Sequence, residues 1–212
     1  MQPFVCCKLN DNYLLINREN LKTLSIPEKL YFYLLSQQES GHQNSNEIIP
    51  ILLAKLGITS APNILSELLL VRPLPKTTFG RASYEITESC NFKCRHCILG
   101  NRHRPNLTLE KRILLLDILA ETGCLWLQIT GGEATIDKYF EEIYRHAYAK
   151  GFLITLSTNG SQLSKPKISQ MLAELPPNRV AFSFYGATAN SFYELTLNSN
   201  AFEDFLKGLQ TV

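Results

Sequence analysis

The stretch ASYEITESCNFKCRHC, residues 82–97, decides how the second part of the chain folds. Residues 83–87 are predicted to form a short strand, and Cys90, Cys94 and Cys97 lie in the loop that follows it. In parallel α/β sheets, ligands bind at the loops that follow the carboxyl ends of the strands. We therefore expect these three thiols to lie at a functional site.

Outward from this strand, short apolar strands alternate with amphipathic helices to the end of the chain. The predicted strands cover residues 83–87, 125–130, 152–157 and 180–184. The predicted helices cover residues 108–123, 137–150 and 164–175, with a last helix from residue 200. Near-continuous apolar strands joined by helices predict a parallel sheet with right-handed crossovers. The predicted fold class is therefore α/β, with four strand–helix units.

The first 72 residues are predicted to form a separate, small and mostly helical module. A strand is expected over residues 13–16, and helices over residues 28–36, 47–56 and 62–69. Pro73 and Pro75 mark residues 73–81 as a linker, because proline interrupts regular structure. The sequence therefore divides into a module (1–72), a linker (73–81) and a core (82–212).

Composition and charge limit the classes of function. The chain has 212 residues, 45% of them hydrophobic, and a formal net charge of +2, so we expect a packed core and no nucleic-acid partner. Residues 1–8 do not resemble a signal peptide, and no apolar run reaches the length of a membrane span. We expect a cytoplasmic protein without a membrane partner, in which six cysteines indicate metal or catalysis more than disulfides.

Three of the six cysteines are closely spaced. Cys90, Cys94 and Cys97 fall within eight residues and can bind one compact metal centre. Four cysteines would ligate every iron of a [4Fe–4S] cluster, so three leave one iron open to a small molecule. A structural zinc ion with His96 or His103 as the fourth ligand is one alternative, and three unrelated thiols are another. The remaining cysteines are interpreted as ordinary or buried thiols: Cys6, Cys7 and Cys124.

The cysteine spacing resembles the CxxxCxφC cluster motif of the radical S-adenosylmethionine (radical SAM) family, with His96 at the φ position. The resemblance implies that the cysteines ligate a [4Fe–4S] cluster and that S-adenosylmethionine binds the fourth iron. One electron would then release a 5′-deoxyadenosyl radical that abstracts a substrate hydrogen. The resemblance also implies a partial, TIM-like parallel barrel for the core.

Further motifs of this family follow in the expected order. Residues 131–133 resemble its GGE motif, which implies binding of the methionine amino group, although Ala134 stands where the family usually has proline. The ends of the third and fourth strands resemble segments that line the cofactor pocket. The implied cofactor-binding residues are His96, Gly131, Gly132, Glu133, Ser157 and Ser183.

Residues 182–188 and 191–196 resemble the subgroup of this family that carries a C-terminal SPASM domain and modifies ribosomally made peptides. The N-terminal module resembles a winged-helix peptide-recognition element, with a generic helical cap as the alternative. The implied partners are a peptide substrate and a reductant such as flavodoxin or ferredoxin. The alternatives are sulfatase maturation, small-molecule radical chemistry, and a truncated, non-catalytic peptide- or metal-binding protein.

The chain contains four strand–helix units, whereas radical SAM cores usually contain six. Three explanations are open: an N-terminal fragment of a longer protein, a truncated gene product, and a second polypeptide that completes the barrel. An open four-stranded parallel sheet exposes an edge that can pair with another chain.

Overall fold

The computed structural model of the protein describes residues 2–40, 51, 54–55, 65–77, 79–100 and 107–211. These residues form two four-stranded sheets. The first sheet consists of β1 (Phe4–Leu9), β2 (Asn12–Asn17), β3 (Thr23–Ile26) and β4 (Leu69–Val71), in the order β3-β2-β1-β4. The β1, β2 and β3 strands are antiparallel neighbours, and β4 pairs parallel with β1. Helix α1 (Glu28–Ser40) packs on this sheet through Tyr31 and Leu34, and the short helix α2 (Leu65–Leu68) leads directly into β4.

The prediction of a mostly helical N-terminal module is corrected by these four strands. The predicted strand 13–16 lies inside β2 and the predicted helix 28–36 lies inside α1, whereas β1, β3 and β4 were missed. Both faces of β1 are buried, since Phe4 packs on the side of α1 and Val5 packs against the core, so the strand lacks the usual alternation. The predicted helix 47–56 lies mainly outside the described residues, and of the predicted helix 62–69 they include only residues 65–69.

The second sheet is parallel throughout, as predicted. It consists of β5 (Arg81–Glu85), β6 (Trp126–Thr130), β7 (Leu153–Thr158) and β8 (Arg179–Phe182), in that order. Its helices are α3 (Leu109–Glu121), α4 (Phe140–Ala149), α5 (Pro166–Glu174), α6 (Ala189–Thr196) and α7 (Ala201–Thr211). This arrangement confirms the α/β fold class and forms part of a TIM-like barrel.

The two faces of the parallel sheet have different chemistry. One face carries Tyr84, Ile129 and Leu156, which are buried beneath α3, α4 and α5. The opposite face carries polar side chains in cross-strand register, and Gln128 pairs with Thr155, which pairs with Arg179. We call this second surface the polar face.

Helix α6 was not predicted from the sequence. It begins with a capping box in which Thr188 accepts a hydrogen bond from the backbone N–H of Ser191, and the Ser191 hydroxyl accepts one from the backbone N–H of Thr188. The helix has eight residues and contains Asn, Ser and Thr, which have low helix propensity, so its apolar pattern is short.

The first sheet packs against the amino-terminal ends of β6 and β7, where Val5 and Ile16 contact Leu125 and Leu153. Arg18 is buried at this interface, and its Nη2 donates hydrogen bonds to the backbone oxygens of Tyr148 and Phe152, both at 3.1 Å. The module therefore lies at the edge of the parallel sheet opposite to its carboxyl ends. In the described ranges, no helix combines the length and hydropathy that crossing a membrane requires.

Candidate functional site

The three closely spaced cysteines lie in the loop that follows β5, which we call the cysteine loop (residues 89–97). Cys90 and Cys97 are exposed, and Cys94 is half-buried. The loop turns tightly, because the backbone N–H of Cys97 donates to the oxygen of Cys94 at 3.1 Å. The Sγ atom of Cys90 accepts a hydrogen bond from the backbone N–H of Phe92 at 3.4 Å. The three thiols are therefore carried by a hydrogen-bonded turn at the carboxyl edge of the sheet.

An aromatic cluster and helix α6 anchor the cysteine loop. Phe92 is buried against Phe192 and Phe205. Two backbone N–H groups of the loop, those of Lys93 and Arg95, donate to the carbonyl oxygens of residues 196 and 195 at the end of α6. The stretch 182–196, which the sequence associates with a subgroup, thus supports the loop that carries the thiols.

The glycines of the loop after β6 allow it to pack directly on the cysteine loop. The backbone N–H of Gly132 donates to the oxygen of Thr87, and the N–H of Glu133 donates to the oxygen of Ser89, both at 2.8 Å. A Cβ atom at Gly131 or Gly132 would lie 2.3 Å from one of these oxygens, and Gly131 has a φ of 152°. The two glycines are thus required by contact between two loops, whereas the sequence suggested close approach to a ligand.

Glu133 joins this glycine loop (residues 131–133) to the loop after β7. Its Oε1 accepts from both the N–H and the hydroxyl of Thr135, and from the Thr158 hydroxyl at 2.7 Å. Its Oε2 accepts from the backbone N–H of Asn159 at 2.6 Å. The residue is 1% exposed, so its carboxylate fixes two loops in this arrangement, while the expected contact with a cofactor amino group needs an exposed oxygen.

Asn159 connects the loop after β7 to the cysteine loop. Its Nδ2 lies 3.9 Å from Cys90 Sγ and donates to Asn91 Oδ1 at 2.9 Å. Asn91 in turn donates to the hydroxyl of Ser161 at 2.8 Å, and the N–H of Ser161 donates back to Asn159 Oδ1 at 3.0 Å. This closed network was not identified from the sequence, in which the end of the third strand resembles a pocket-lining segment and Ser157 was its only assigned residue.

Tyr185 lies over the other side of the cysteine loop. Its ring is 5.5 Å from the His96 ring and 6.4 Å from the Phe92 ring. Burial, together with a hydrogen bond to Cys94, raises the pKa of Tyr185 to about 12, whereas a hydrogen bond from Ser183 acts in the opposite direction. Two expected cofactor-binding residues, His96 and Ser183, therefore meet at Tyr185, which the sequence left unassigned.

Ser157 lies on the polar face, near the carboxyl end of β7. Its hydroxyl accepts a hydrogen bond from Gln128 Nε2 at 2.8 Å, and the side chain is half-buried. The structure therefore places all the expected site residues at or near one edge of the sheet, on the loops that follow β5, β6 and β8 and, for Ser157, at the end of β7 itself.

The six cysteines fall into two groups by burial. Cys6, Cys7 and Cys124, which we call the three buried thiols, belong to apolar clusters. Burial raises the pKa of Cys6 to about 12, and that of Cys7 and Cys124 to about 11. Burial also raises the pKa values of Cys90 and Cys94, and the neighbouring thiols add to this effect at Cys90.

The donor set of the cysteine loop fits a cluster with several metal atoms. Among the residues that the structure describes, no three His, Cys, Asp or Glu side chains form a ligand set for a metal ion. In a [4Fe–4S] cluster, each protein thiolate binds a different iron, so the sulfurs need not converge on one point. The three thiols share one loop, Cys94 and Cys97 add to the raised pKa of Cys90, and the side chains are exposed at Cys90 and Cys97 and half-buried at Cys94.

Comparison with known proteins gives one family match and several relatives. The profile of the radical SAM superfamily matches residues 84–212. The S-adenosylmethionine-dependent nucleotide dehydratase of Selenomonas ruminantium is 30% identical over 119 residues, which are 55% of this chain and 41% of the relative. The mycofactocin maturase MftC of Mycobacterium tuberculosis is 31% identical over 109 residues, which are 50% of this chain and 28% of the relative.

Solved structures share the fold. The crystal structure of Streptococcus suis SuiB bound to precursor peptide SuiA superposes with a TM-score of 0.57 at 20% sequence identity, over 92% of this chain and 50% of that chain. The chain thus spans half the length of SuiB, and less than half the length of the two curated relatives above.

Proposed function

Because this chain belongs to the radical SAM superfamily, we propose that Cys90, Cys94 and Cys97 ligate a [4Fe–4S] cluster beside which S-adenosylmethionine binds. A cluster at this position supplies the single electron with which radical SAM enzymes generate a 5′-deoxyadenosyl radical. The observation that carries the proposal is the junction of the cysteine loop with the glycine loop, through two backbone hydrogen bonds of 2.8 Å. Two loops that carry the expected ligands and the GGE residues are in direct contact there, which supports the proposal.

The side chains around the thiols have separate proposed roles. Tyr185 and His96 border Cys94 and limit the access of water to that side of the loop. Ser157 and Ser183 offer hydroxyl groups to S-adenosylmethionine. Gly131 and Gly132 bring the glycine loop to the cofactor, and Glu133 holds that loop in place from behind.

The proposed substrate is a ribosomally made peptide. Strand β3 is one of the two outer strands of the first sheet, so the backbone groups on its outer edge can pair with an extended peptide. The name of the MftC relative describes a maturase, and SuiB has been crystallised with a precursor peptide. We propose that residues 1–72 recognise the peptide as a winged-helix element, in a cytoplasmic enzyme of the SPASM subgroup that takes its electron from a flavodoxin or ferredoxin.

Reconstitution under anaerobic conditions tests the cluster. Wild-type protein supplied with iron and sulfide is expected to bind about four iron and four sulfide per chain, and to give a reduced spin-resonance signal that changes on addition of S-adenosylmethionine. Cys94→Ala should lose the signal, whereas the matched control Cys124→Ala should keep it. Zinc without labile sulfide in the wild-type protein, or a signal that ignores S-adenosylmethionine, contradicts the proposal.

Small-molecule chemistry is the second candidate, because the nucleotide dehydratase is 30% identical to this chain. Release of 5′-deoxyadenosine distinguishes the two substrate classes. If a nucleoside triphosphate increased the release of 5′-deoxyadenosine and a precursor peptide did not, the second candidate would be favoured. Peptide binding that survives Cys94→Ala, without any turnover by the wild type, would favour a non-catalytic binding protein.

A further inference from the structure

A cavity of about 350 Å³ lies against the polar face, at the end remote from the cysteine loop. Its lining includes Trp126 at the start of β6, together with Gln128, Thr155 and Arg179, which stand in one cross-strand row. Leu21 of the first sheet's β2–β3 connection closes one side. The cavity therefore lies at the junction of the module and the core, where binding pockets often occur.

The charged side chains that line this cavity are all basic. Arg81 and Arg179 both line it, and no carboxylate does. They start β5 and β8, three strand spacings and two residues of register apart, which is about 16 Å between their backbones, so their long side chains can reach a shared ligand between them. In the described part of the chain, the ion pairs involve other residues, which leaves both guanidinium groups without an acidic partner.

One hydrogen bond connects the cavity to the proposed cofactor site. Gln128 lines the cavity and donates from Nε2 to the hydroxyl of Ser157 at 2.8 Å. Ser157 lies one register step closer to the carboxyl edge than Thr155, on the same polar face. A group bound between the arginines would therefore hold an adjoining part of the same ligand beside Ser157.

We propose that this cavity is a substrate subsite that binds a carboxylate of the peptide through Arg81 and Arg179. The fork of donors on a guanidinium matches a carboxylate with two parallel hydrogen bonds. The hydroxyl of Thr155 and the ring of Trp126 contact the aliphatic part of the acidic side chain. The volume is at the lower end of the range for ligand pockets, which suits one side chain. This inference rests on the proposal that the substrate is a peptide.

The single tryptophan of the chain gives a direct test, since Trp126 lines the cavity. The fluorescence of purified, metal-free protein is titrated with N-acetyl-glutamate amide and with its neutral isostere N-acetyl-glutamine amide. The expected result is a saturable change for the acid, with an affinity about tenfold higher than for the amide. Arg179→Gln should lower that affinity about tenfold, and Arg179→Lys should lower it less, because lysine keeps the charge without the fork.

Arg145→Gln is the matched control, because it removes one guanidinium group from the outer surface of α4. Circular dichroism checks that each variant is folded. If Arg179→Gln does not fold, the titration is repeated with Arg81→Gln. An absent fluorescence change, equal affinity for acid and amide, or insensitivity to both arginine substitutions overturns the subsite. Tighter binding of inorganic pyrophosphate overturns the carboxylate assignment. Iron loading is measured separately, so failure of the cluster proposal is seen independently.

Discussion

Asn159 Nδ2 lies 3.9 Å from Cys90 Sγ, so an amide donor from the loop after β7 faces a sulfur of the cysteine loop. The same side chain bonds to Asn91, the neighbour of Cys90 in sequence. Asn159 thereby positions the sulfur and offers it a hydrogen bond. Hydrogen bonds to cluster sulfurs are among the factors that set reduction potentials.

Asn159→Leu is expected to lower the reduction potential of the reconstituted cluster, because the donor that stabilises extra negative charge on the sulfur is lost. A tenfold change in the equilibrium between oxidised and reduced forms corresponds to about 59 mV for one electron. Redox titration followed by spin resonance measures the shift. Asn190→Leu, on the exposed side of α6, is the control and should leave the potential unchanged. An unaltered potential in a fully loaded Asn159→Leu protein would refute this role.

Glu133→Gln is expected to destabilise the protein and to reduce iron loading. The carboxylate accepts four hydrogen bonds, three at Oε1 and one at Oε2, whereas an amide in its place has one acceptor oxygen. Either the buried N–H of Asn159 or the buried donors of Thr135 and Thr158 then face an NH2 group and are left unsatisfied. The expected loss in the free energy of unfolding is about 1–3 kcal/mol, measured by urea denaturation. The exposed Glu142→Gln serves as the comparison, and equal stability of the two variants would argue against the positioning role.

Alkylation should separate the cysteines into the two groups that burial defines. In reduced, metal-free protein, iodoacetamide is expected to modify the exposed Cys90 and Cys97 first, and the three buried thiols only after unfolding. The thiolate is the form that reacts with iodoacetamide. Because their pKa values are raised to about 11 to 12, the three buried thiols stay protonated and react slowly up to pH 9. Peptide mass mapping gives the order. Early labelling of Cys124 would show that the core opens more readily than this structure implies.

Arg112→Met should destabilise the core strongly. Arg112 pairs with Asp137 at 2.8 Å, and the two side chains are 1% and 3% exposed, so the variant leaves a buried, unpaired carboxylate. The expected loss is about 3–5 kcal/mol in urea denaturation. The surface variant Arg145→Met should lose less than about 1 kcal/mol. Restoration of stability by adding Asp137→Asn would support this cause, whereas further destabilisation would contradict it.

Arg18→Lys should loosen the N-terminal module from the core. A single ammonium group cannot reproduce the two hydrogen bonds to residues 148 and 152 or the stacking of the guanidinium group 3.5 Å from the Tyr148 ring centroid. Limited proteolysis between the module and the core is expected to become faster, with Lys22→Arg as an exposed control. Identical digestion of Arg18→Lys and wild type would mean that the apolar contacts alone hold the interface.

The parallel sheet could be predicted from the sequence because its strands are apolar runs between well-marked helices. The three cysteines and residues 131–133 could be found because they are local in sequence. The first sheet was largely missed for a physical reason. Residues 4–9 are buried on both faces, and Asn10 turns the hairpin with a φ of 51°, without the glycine that usually signals such a turn.

The contacts that organise the site are distant in sequence, so no local pattern reveals them. Asn159 and Cys90 are separated by 69 residues, and Glu133 and Asn159 by 26. The sequence singled out the glycines of the motif for close approach to a ligand, and in the structure they lie against backbone atoms of another loop. The spacing of residues in the sequence indicated candidates for the site. Only the fold shows which of them form hydrogen bonds with one another.

The position of Arg18 also bears on how the chain folds during synthesis. Its two backbone acceptors lie 130 and 134 residues further along, so the ribosome completes the whole module long before they emerge. Until then, the guanidinium group and the apolar side chains around it face water or a chaperone. The nascent module therefore exposes an apolar surface that can bind other chains, until α4 and the starts of β6 and β7 cover it.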